Sequence, residues 1–458
     1  MIQKRRDGFK YMQIENYLFV RVHYDKRVAS LEPLGLEYLM GAVKAEGRNC
    51  IIHDEGLYGP LFRFKRLLKK IDENKISFVG ISIMSNTAWY SLKLIEKIKK
   101  LRPQIKIMVG GPEVVINHED FLLENIDYVY YDNGLNSFRN AVRNDFDINS
   151  LENCTGIAYK LNGKWIQNKC GEPISDYGIK PDRSIFYQNR KKYRVIAKGT
   201  FSTMKTAFSC PQKCSFCISR RFNSCEYRER NVDDVIDEII EIDNDKIFLI
   251  DDDFLVNKKR VVEICNRLIE RKCYKTFLIF SRADSIVKCK DIMPLLYKAG
   301  FRDMLVGLEA VEDKTLELYN KNSSVAVNKE AVKILRENNM LCVGLFVINY
   351  DFKHKDFMNI NKFIKKEKII WVLFSILIPF KGTEIYEKNK NKLYKYTYKR
   401  TDGTHVLMKP QYLPKWLFAL EFRFLYYVNY PRIYLAGILQ TFNKKYKNCP
   451  DNLGNLKD

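Results

Sequence analysis

At 458 residues the chain is long enough for two or three domains with substantial cores. Hydrophobic residues make up 46%, yet no apolar run reaches the ~20 residues that span a bilayer, which excludes a protein built of membrane-spanning helices. The 78 Lys and Arg against 55 Asp and Glu leave +23, a charge suited to a nucleic-acid or anionic-membrane partner, but the lysines are scattered and concentrate only in residues 386–400, so a solvated basic surface is the favoured reading.

The first residues, MIQKRRDGFKYMQ, carry charge but no apolar stretch of the kind a secretory signal needs. The expectation is a cytoplasmic protein whose twelve cysteines stay reduced. From 14 to 145 the pattern alternates. YLFVRV (17–22), CIIHD (50–54), FVGISIM (78–84), KIMVGG (106–111) and YVYY (128–131) read as strands. LGLEYLMGAVKAEG (34–47), LFRFKRLLKKIDENK (61–75) and WYSLKLIEKIKKL (89–101) have helical spacing. Short connections between such elements imply a doubly wound parallel sheet, with ligands at the strands' carboxyl ends. Residues 146–194 show turn residues without a clear period and read as a linker.

From 195 to 385 the alternation returns. KIFLIDDDF, TFLIFSRAD, DMLVGLE, LCVGLFVIN and IIWVLFSILIPF are strands with amphipathic helices between them. About six βα units make a full or partial (β/α) barrel with its chemistry at the strand C-termini. The last region, 386–458, is basic and aromatic. Its segment LPKWLFALEFRFLYYVNYPRIYLAGILQTF predicts a helix pair packed across the barrel, broken or kinked at Pro431, with weak attraction to a membrane as a second role.

Cys210, Cys214 and Cys217 fall within eight residues, with three and then two residues between them. A structural zinc site closes with four ligands, usually as two separated pairs, and no second pair follows. Cys225 stands near but out of the pattern, and His405 is far away. A disulfide would leave one thiol over and strain a short loop. Three thiolates suit a 4Fe–4S cluster, whose fourth iron stays open for a small ligand. Cys265 and Cys342 sit on apolar faces and read as core.

CxxxCxxC with an aromatic, Phe216, before the last cysteine resembles the signature of the radical SAM superfamily. The resemblance implies that the open iron takes the amino and carboxylate groups of S-adenosylmethionine. An electron from a reductant such as flavodoxin or ferredoxin then releases a 5′-deoxyadenosyl radical. Further segments resemble barrel strands of the larger members that carry a cobalamin-binding domain. FLIDDDF holds Asp252, the first choice among three aspartates. FSRADSI holds Ser281 and Arg282, which can meet the S-adenosylmethionine carboxylate. VGLEAVEDKTLE holds Glu309, which can reach ribose hydroxyls, and LIPFKGTEIYE resembles the segment beside the adenine. Each has a plainer reading: the aspartates cap the next helix, Arg282 pairs with a nearby acid, and Glu309 is a solvated loop acid.

The N-terminal region resembles the cobalamin-binding domain of that subfamily through EPLGLEYLMGAVKAEG, FVGISIMSNT and IMVGGPEVV. By that resemblance Gly110 and Gly111 let the backbone approach the cofactor, and Ser82, Ser85 and Thr87 bond its nucleotide tail. The DxHxxG segment that ligates cobalt elsewhere is absent, with His53 out of place. YYDNGLNSF stands where the family shows a GEGE turn, and RVHYDKR replaces a usual PP. A domain that keeps the fold without the cofactor is therefore the alternative. The expected fold is a cobalamin-binding-like domain, a radical SAM partial (β/α)6 barrel and a helical C-terminal region. The expected reaction is methylation of an unactivated carbon on a small-molecule, lipid or peptide substrate. Radical cyclisation or carbon–carbon coupling follows if cobalamin does not bind. A non-catalytic redox sensor or nucleic-acid-binding protein is the reading of another class, and the barrel acids and the GLE segment argue against it.

Overall fold

In the computed structural model, which describes residues 16–23, 30–58, 62–132, 134–194, 199–394 and 398–442, the predicted strands pair as their composition demands. Side chains of 220, 224 and 431–442 are outside the description, as are Asn133 and everything beyond 442. The described residues separate into two units: 16–23 with 33–185, and 30–32 with those from 186 onward.

The first unit is built on β1 (Asn16–Arg21), β2 (Asn49–Asp54), β3 (Phe78–Ser82), β4 (Lys106–Gly110) and β5 (Tyr128–Tyr130). Tyr17 to Val20 are fully buried, as befits a central strand covered on both faces. Residues 157–167, read above as linker, instead form β6 (Ile157–Leu161) and β7 (Lys164–Gln167). Asn162 and Gly163 join them with φ of 52° and 77°. Such a two-residue turn needs both residues left-handed, and Asn-Gly supplies them at low cost. The hairpin adds two antiparallel strands to the edge of β5, giving the order β2-β1-β3-β4-β5-β6-β7. The parallel part runs 2-1-3-4-5, so the order reverses between β1 and β3, and a crevice opens there at the strands' carboxyl ends.

The second unit holds six parallel strands: β8 (Ser202–Met204), then, beyond a short ribbon of β9 (Ala207–Phe208) and β10 (Arg228–Glu229), β11 (Lys246–Leu249), β12 (Thr276–Arg282), β13 (Phe301–Glu309), β14 (Leu341–Ile348) and β15 (Trp371–Ile376). Their order is β15-β14-β13-β12-β11-β8, with no pairing of β15 to β8, so the barrel is partial. Helices Val232–Glu241, Lys258–Glu270, Val325–Glu337 and His354–Lys366 follow the strands. Asn231, Asn257 and Ser324 cap the first three by accepting from backbone N–H groups of the first turn. One layer of inward side chains, Phe201, Phe248, Leu278, Leu305, Val343 and Trp371, packs together inside the sheet. Glu32 closes the β8 side: its carboxylate accepts from the Thr203 N–H and, at 3.0 Å, from the Thr203 hydroxyl. A buried edge donor is thereby satisfied.

The C-terminal region differs from the helix pair predicted. A single helix, Lys415–Phe442, runs unbroken through Pro431. One missing N–H there costs one hydrogen bond, and packing of the earlier turns outweighs it. Phe418, Phe422 and Leu425 lie in the core of the unit, and Tyr426 Oη bonds both the N–H and the carbonyl of Phe374.

Candidate functional site

The cysteine loop sits between the β9 strand and a 3-10 turn, Ser219–Cys225, and it is clamped from two sides. Ser215 N–H donates to Tyr319 O at 3.0 Å, Ser215 Oγ to Leu318 O at 3.0 Å, and Asn320 Nδ2 to Lys213 O at 2.8 Å. From the other side Ile385 N–H donates to Ser215 O at 3.1 Å. Phe216 meets the Tyr319 ring edge-on, centroids 5.1 Å apart. The aromatic before the last cysteine thus anchors the loop by packing.

Cys210, Cys214 and Cys217 line one cavity of about 130 Å³ with Phe216, Asp252, Ser281, Arg282, Glu309, Lys321 and the apolar Phe280, Leu305 and Leu345. Cys225 is exposed and lies outside that lining. Among the described residues no three Cys, His, Asp or Glu side chains converge on a single ion. Three sulfurs around one cavity fit a cluster, in which each thiolate holds a different iron. Burial pushes the Cys210 thiol up to about 12 and raises Cys217 as well, so ligation must displace protons there.

The three aspartates divide cleanly. Asp251 is fully built in: it accepts from Thr206 N–H (2.6 Å), Thr206 Oγ1 (2.5 Å) and Ala207 N–H (3.0 Å). Asp253 accepts from Ser281 Oγ (3.1 Å) and Ser285 Oγ (2.6 Å). Burial holds both carboxyls above the usual range despite those donors. Asp252 alone lines the cavity, and its Oδ2 is buried without a partner. A buried carboxylate oxygen left unpaired is costly, and a donor on a bound molecule removes that cost.

Arg282 pairs with a nearby acid, as its plainer reading expected, and it also lines the cavity. Its Nε donates to Asp284 at 2.8 Å, and its Nη1 points at Cys214 Sγ, 3.2 Å away. Its Nη2 bonds the Lys321 carbonyl. Glu309 is not a solvated loop acid. It is buried at the end of β13, just past a register shift, with φ +60°. A non-glycine residue held left-handed is strained by roughly 1–3 kcal/mol, a cost typical of functional positions. Its Oε1 accepts from Lys321 Nζ at 2.8 Å. A side chain at Gly307 would overlap that pair: its Cβ would lie 2.5 Å from Glu309 Oε1 and 2.9 Å from Lys321 Nζ. Lys321 was missed in the sequence, where it is one of 78 basic residues in an unremarkable loop.

In the first unit the predicted residues do come together, around the ends of β3 and β4, but they are engaged with one another. Thr87 Oγ1 accepts from Met84 N–H at 3.0 Å, and Ser85 Oγ donates to buried Glu113. Ile83 N–H donates to Gly110 O at 2.7 Å, and Glu113 N–H to Ile83 O at 3.1 Å. Gly111 has φ +98°, and a Cβ there would stand 2.8 Å from both Ile83 N and Ser82 Oγ. Its glycine is therefore demanded by the neighbouring strand end itself. A Cβ on Gly110 would meet Tyr130 O at 3.2 Å. What fits a ligand here is the reversal of strand order beside Ser82, bordered by exposed Met84. His53 is buried at the end of β2, stacked on Tyr58, with neither ring nitrogen bonded.

Comparison with known proteins agrees with this layout. The profile of the B12 binding domain matches residues 21–142, and that of the radical SAM superfamily matches 204–364. The anaerobic magnesium-protoporphyrin IX monomethyl ester cyclase of Rubrivivax gelatinosus is 24% identical over 86% of this chain and 73% of its own length. An uncharacterized methyltransferase of Pyrococcus horikoshii is 28% identical over 78% of both chains. The hopanoid C-3 methylase of Methylococcus capsulatus is 22% identical over 85% of this chain and 75% of its own. Among solved structures, TsrM of Kitasatospora setae with cobalamin and a [4Fe-4S] cluster has a TM-score of 0.64 at 15% identity, covering 89% of this chain and 85% of that one. The cobalamin-dependent enzyme OxsB has a TM-score of 0.65 at 15% identity over 82% of this chain, which spans 55% of OxsB. At such identities the structures establish a shared fold.

Proposed function

We propose, from the premise that this chain belongs to the radical SAM enzymes with a B12-binding domain, that it methylates an unactivated carbon with the help of cobalamin. The observation that carries the reading is one cavity that gathers three cysteines and an unpaired carboxylate at the barrel strand ends, in a chain that also holds a parallel sheet with a reversal of strand order. When bound, the cluster with S-adenosylmethionine supplies a 5′-deoxyadenosyl radical, and cobalamin supplies the methyl group. Cys210, Cys214 and Cys217 hold the cluster. Arg282 lends positive charge beside Cys214 and, with Ser281, faces the carboxylate of S-adenosylmethionine. Asp252 and Glu309 accept hydrogen bonds from its amino and hydroxyl groups, and Lys321 fixes Glu309 in position. Phe280, Leu305 and Leu345 keep water from the reacting carbon. The crevice beside Ser82, Ser85 and Thr87 takes cobalamin, with Gly110 and Gly111 shaping its floor.

The substrate in this reading is an apolar small molecule or lipid, or an apolar part of a peptide. Leu373 shares the inward face of β15 with Trp371 by strand alternation, and it stays 48% exposed at the open edge of the barrel. A low-potential flavodoxin or ferredoxin in the cytoplasm supplies the electron. Cyclisation is the second reading, favoured by the likeness to cyclases. The test uses anaerobically reconstituted protein with dithionite, cobalamin and methyl-labelled S-adenosylmethionine. The proposal expects 5′-deoxyadenosine and label on bound corrin. An intact cluster that forms no 5′-deoxyadenosine sinks it, and 5′-deoxyadenosine from protein that never takes up corrin leaves cyclisation.

A further inference from the structure

Over residues 415–430 the C-terminal helix, Lys415–Phe442, is apolar on two opposite sides. One side is accounted for by Phe418, Phe422 and Leu425 in the core. At ~100° per residue, Trp416, Leu420, Phe424, Tyr427 and Tyr430 fall within a single arc on the other side. All five are exposed, from 47% for Phe424 to 77% for Tyr427. A helix facing only water carries polar residues outward, and this one does the reverse. Contiguous exposed apolar surface of this kind marks an interaction site.

Charge identifies the partner. Arg423 falls inside the same arc and is exposed. The one acid among residues 415–430, Glu421, lies off the arc and is held by His354 at 2.6 Å. From 386 to 458 the chain has fourteen Lys and Arg against five Asp and Glu. A second copy meeting this face about a two-fold axis would set Arg423 near its own counterpart, an unfavourable like-charge contact. Trp and Tyr with interleaved basic residues suit the headgroup level of a bilayer with anionic lipid. Among the described residues no helix is long and apolar enough to cross a membrane, so the mode left is lying on its surface.

We propose that the face formed by Trp416, Leu420, Arg423, Phe424 and Tyr427 docks the protein on anionic lipid bilayers, with the helix in the headgroup plane. The proposal does not depend on the reaction assigned above. The test is flotation of the full-length protein with vesicles of equal parts phosphatidylcholine and phosphatidylglycerol, and with phosphatidylcholine alone. Wild type should float with the mixed vesicles, less with phosphatidylcholine alone, and less as salt is raised. Trp416→Ser/Phe424→Ser/Tyr427→Ser should weaken partition about tenfold or more while leaving the circular dichroism spectrum unchanged. Arg423→Glu, a change at an exposed position, should weaken binding to the mixed vesicles alone and serves if the triple variant does not fold. Wild type that stays with neither vesicle overturns the proposal. So does a well-folded triple variant that floats like wild type, or a wild-type dimer that the triple change converts to monomer without any vesicle binding.

Discussion

At the residue scale, Lys321 and Glu309 form a buried pair inside the cavity, both side chains 10% exposed or less. Burial alone would lower the lysine, but Glu309 outweighs it and holds its pKa above the ordinary value. Removing either partner leaves a charge without compensation. Lys321→Met is expected to cost about 3–5 kcal/mol in urea unfolding. The double change Lys321→Met/Glu309→Gln should cost clearly less than its two single changes added together, because no ion is then stranded. Nothing in the sequence marked Lys321, since its importance comes from where the loop after residue 318 folds. The cysteines stood out because their local spacing is that of a ligand set, and the fold brings all three to one cavity. His53 supplies a pH test. Burial depresses it from the ordinary 6.5 to about 4. The folded protein therefore resists protonation while the unfolded chain accepts it, and stability is lost as pH falls from 6.5 through 4. The loss amounts to roughly 3 kcal/mol at full protonation. His53→Phe should flatten the melting temperature across that window, and an unchanged acid slope would contradict the assignment.

At the element scale, the strands and barrel helices were readable because burial on both faces or on one stripe leaves a period in the sequence. The β6–β7 hairpin was missed although Asn162-Gly163 is a turn signal. IAYKL and KWIQ are short, half polar, and become strands only by pairing with the edge of β5. The C-terminal helix was predicted as two because proline was weighed without the packing of the turns before it. Its two faces give a direct comparison. Phe418 is fully buried, stacked parallel to Tyr350 at 5.6 Å. Phe418→Ala should cost about 3–5 kcal/mol, whereas Trp416→Ala should stay within about 0.5 kcal/mol in thermal melting. Equal losses at the two positions would mean that the outer face is packed in solution.

At the scale of the whole molecule, the chain has two units, one matched by the B12 binding domain and one by the radical SAM superfamily. The predicted boundary at 145 moves, since 146–185 completes the first unit, and residues 30–32 belong with the barrel. Each unit should therefore load independently. Cys214→Ala is expected to abolish the absorbance of the iron–sulfur cluster while retaining corrin on anaerobic reconstitution with cobalamin. Cys225→Ala should retain both, because Cys225 lies outside the cavity. Loss of corrin in the Cys214→Ala protein would show that the first unit cannot hold it alone. Equal loss of the cluster in both variants would show that the ligand set is wrong.

The sequence by itself determined the class of chemistry and the order of the elements. Cluster ligands must be cysteines at fixed local spacing, and buried strands must be apolar, so both write themselves into adjacent residues. The tertiary structure decided which of three neighbouring aspartates stays unpaired, which lysine holds Glu309, and why Gly111 is glycine. It also decided which face of the last helix is left to water. Each of these depends on groups far apart in the chain arriving within a few ångströms, and local composition carries no record of that meeting.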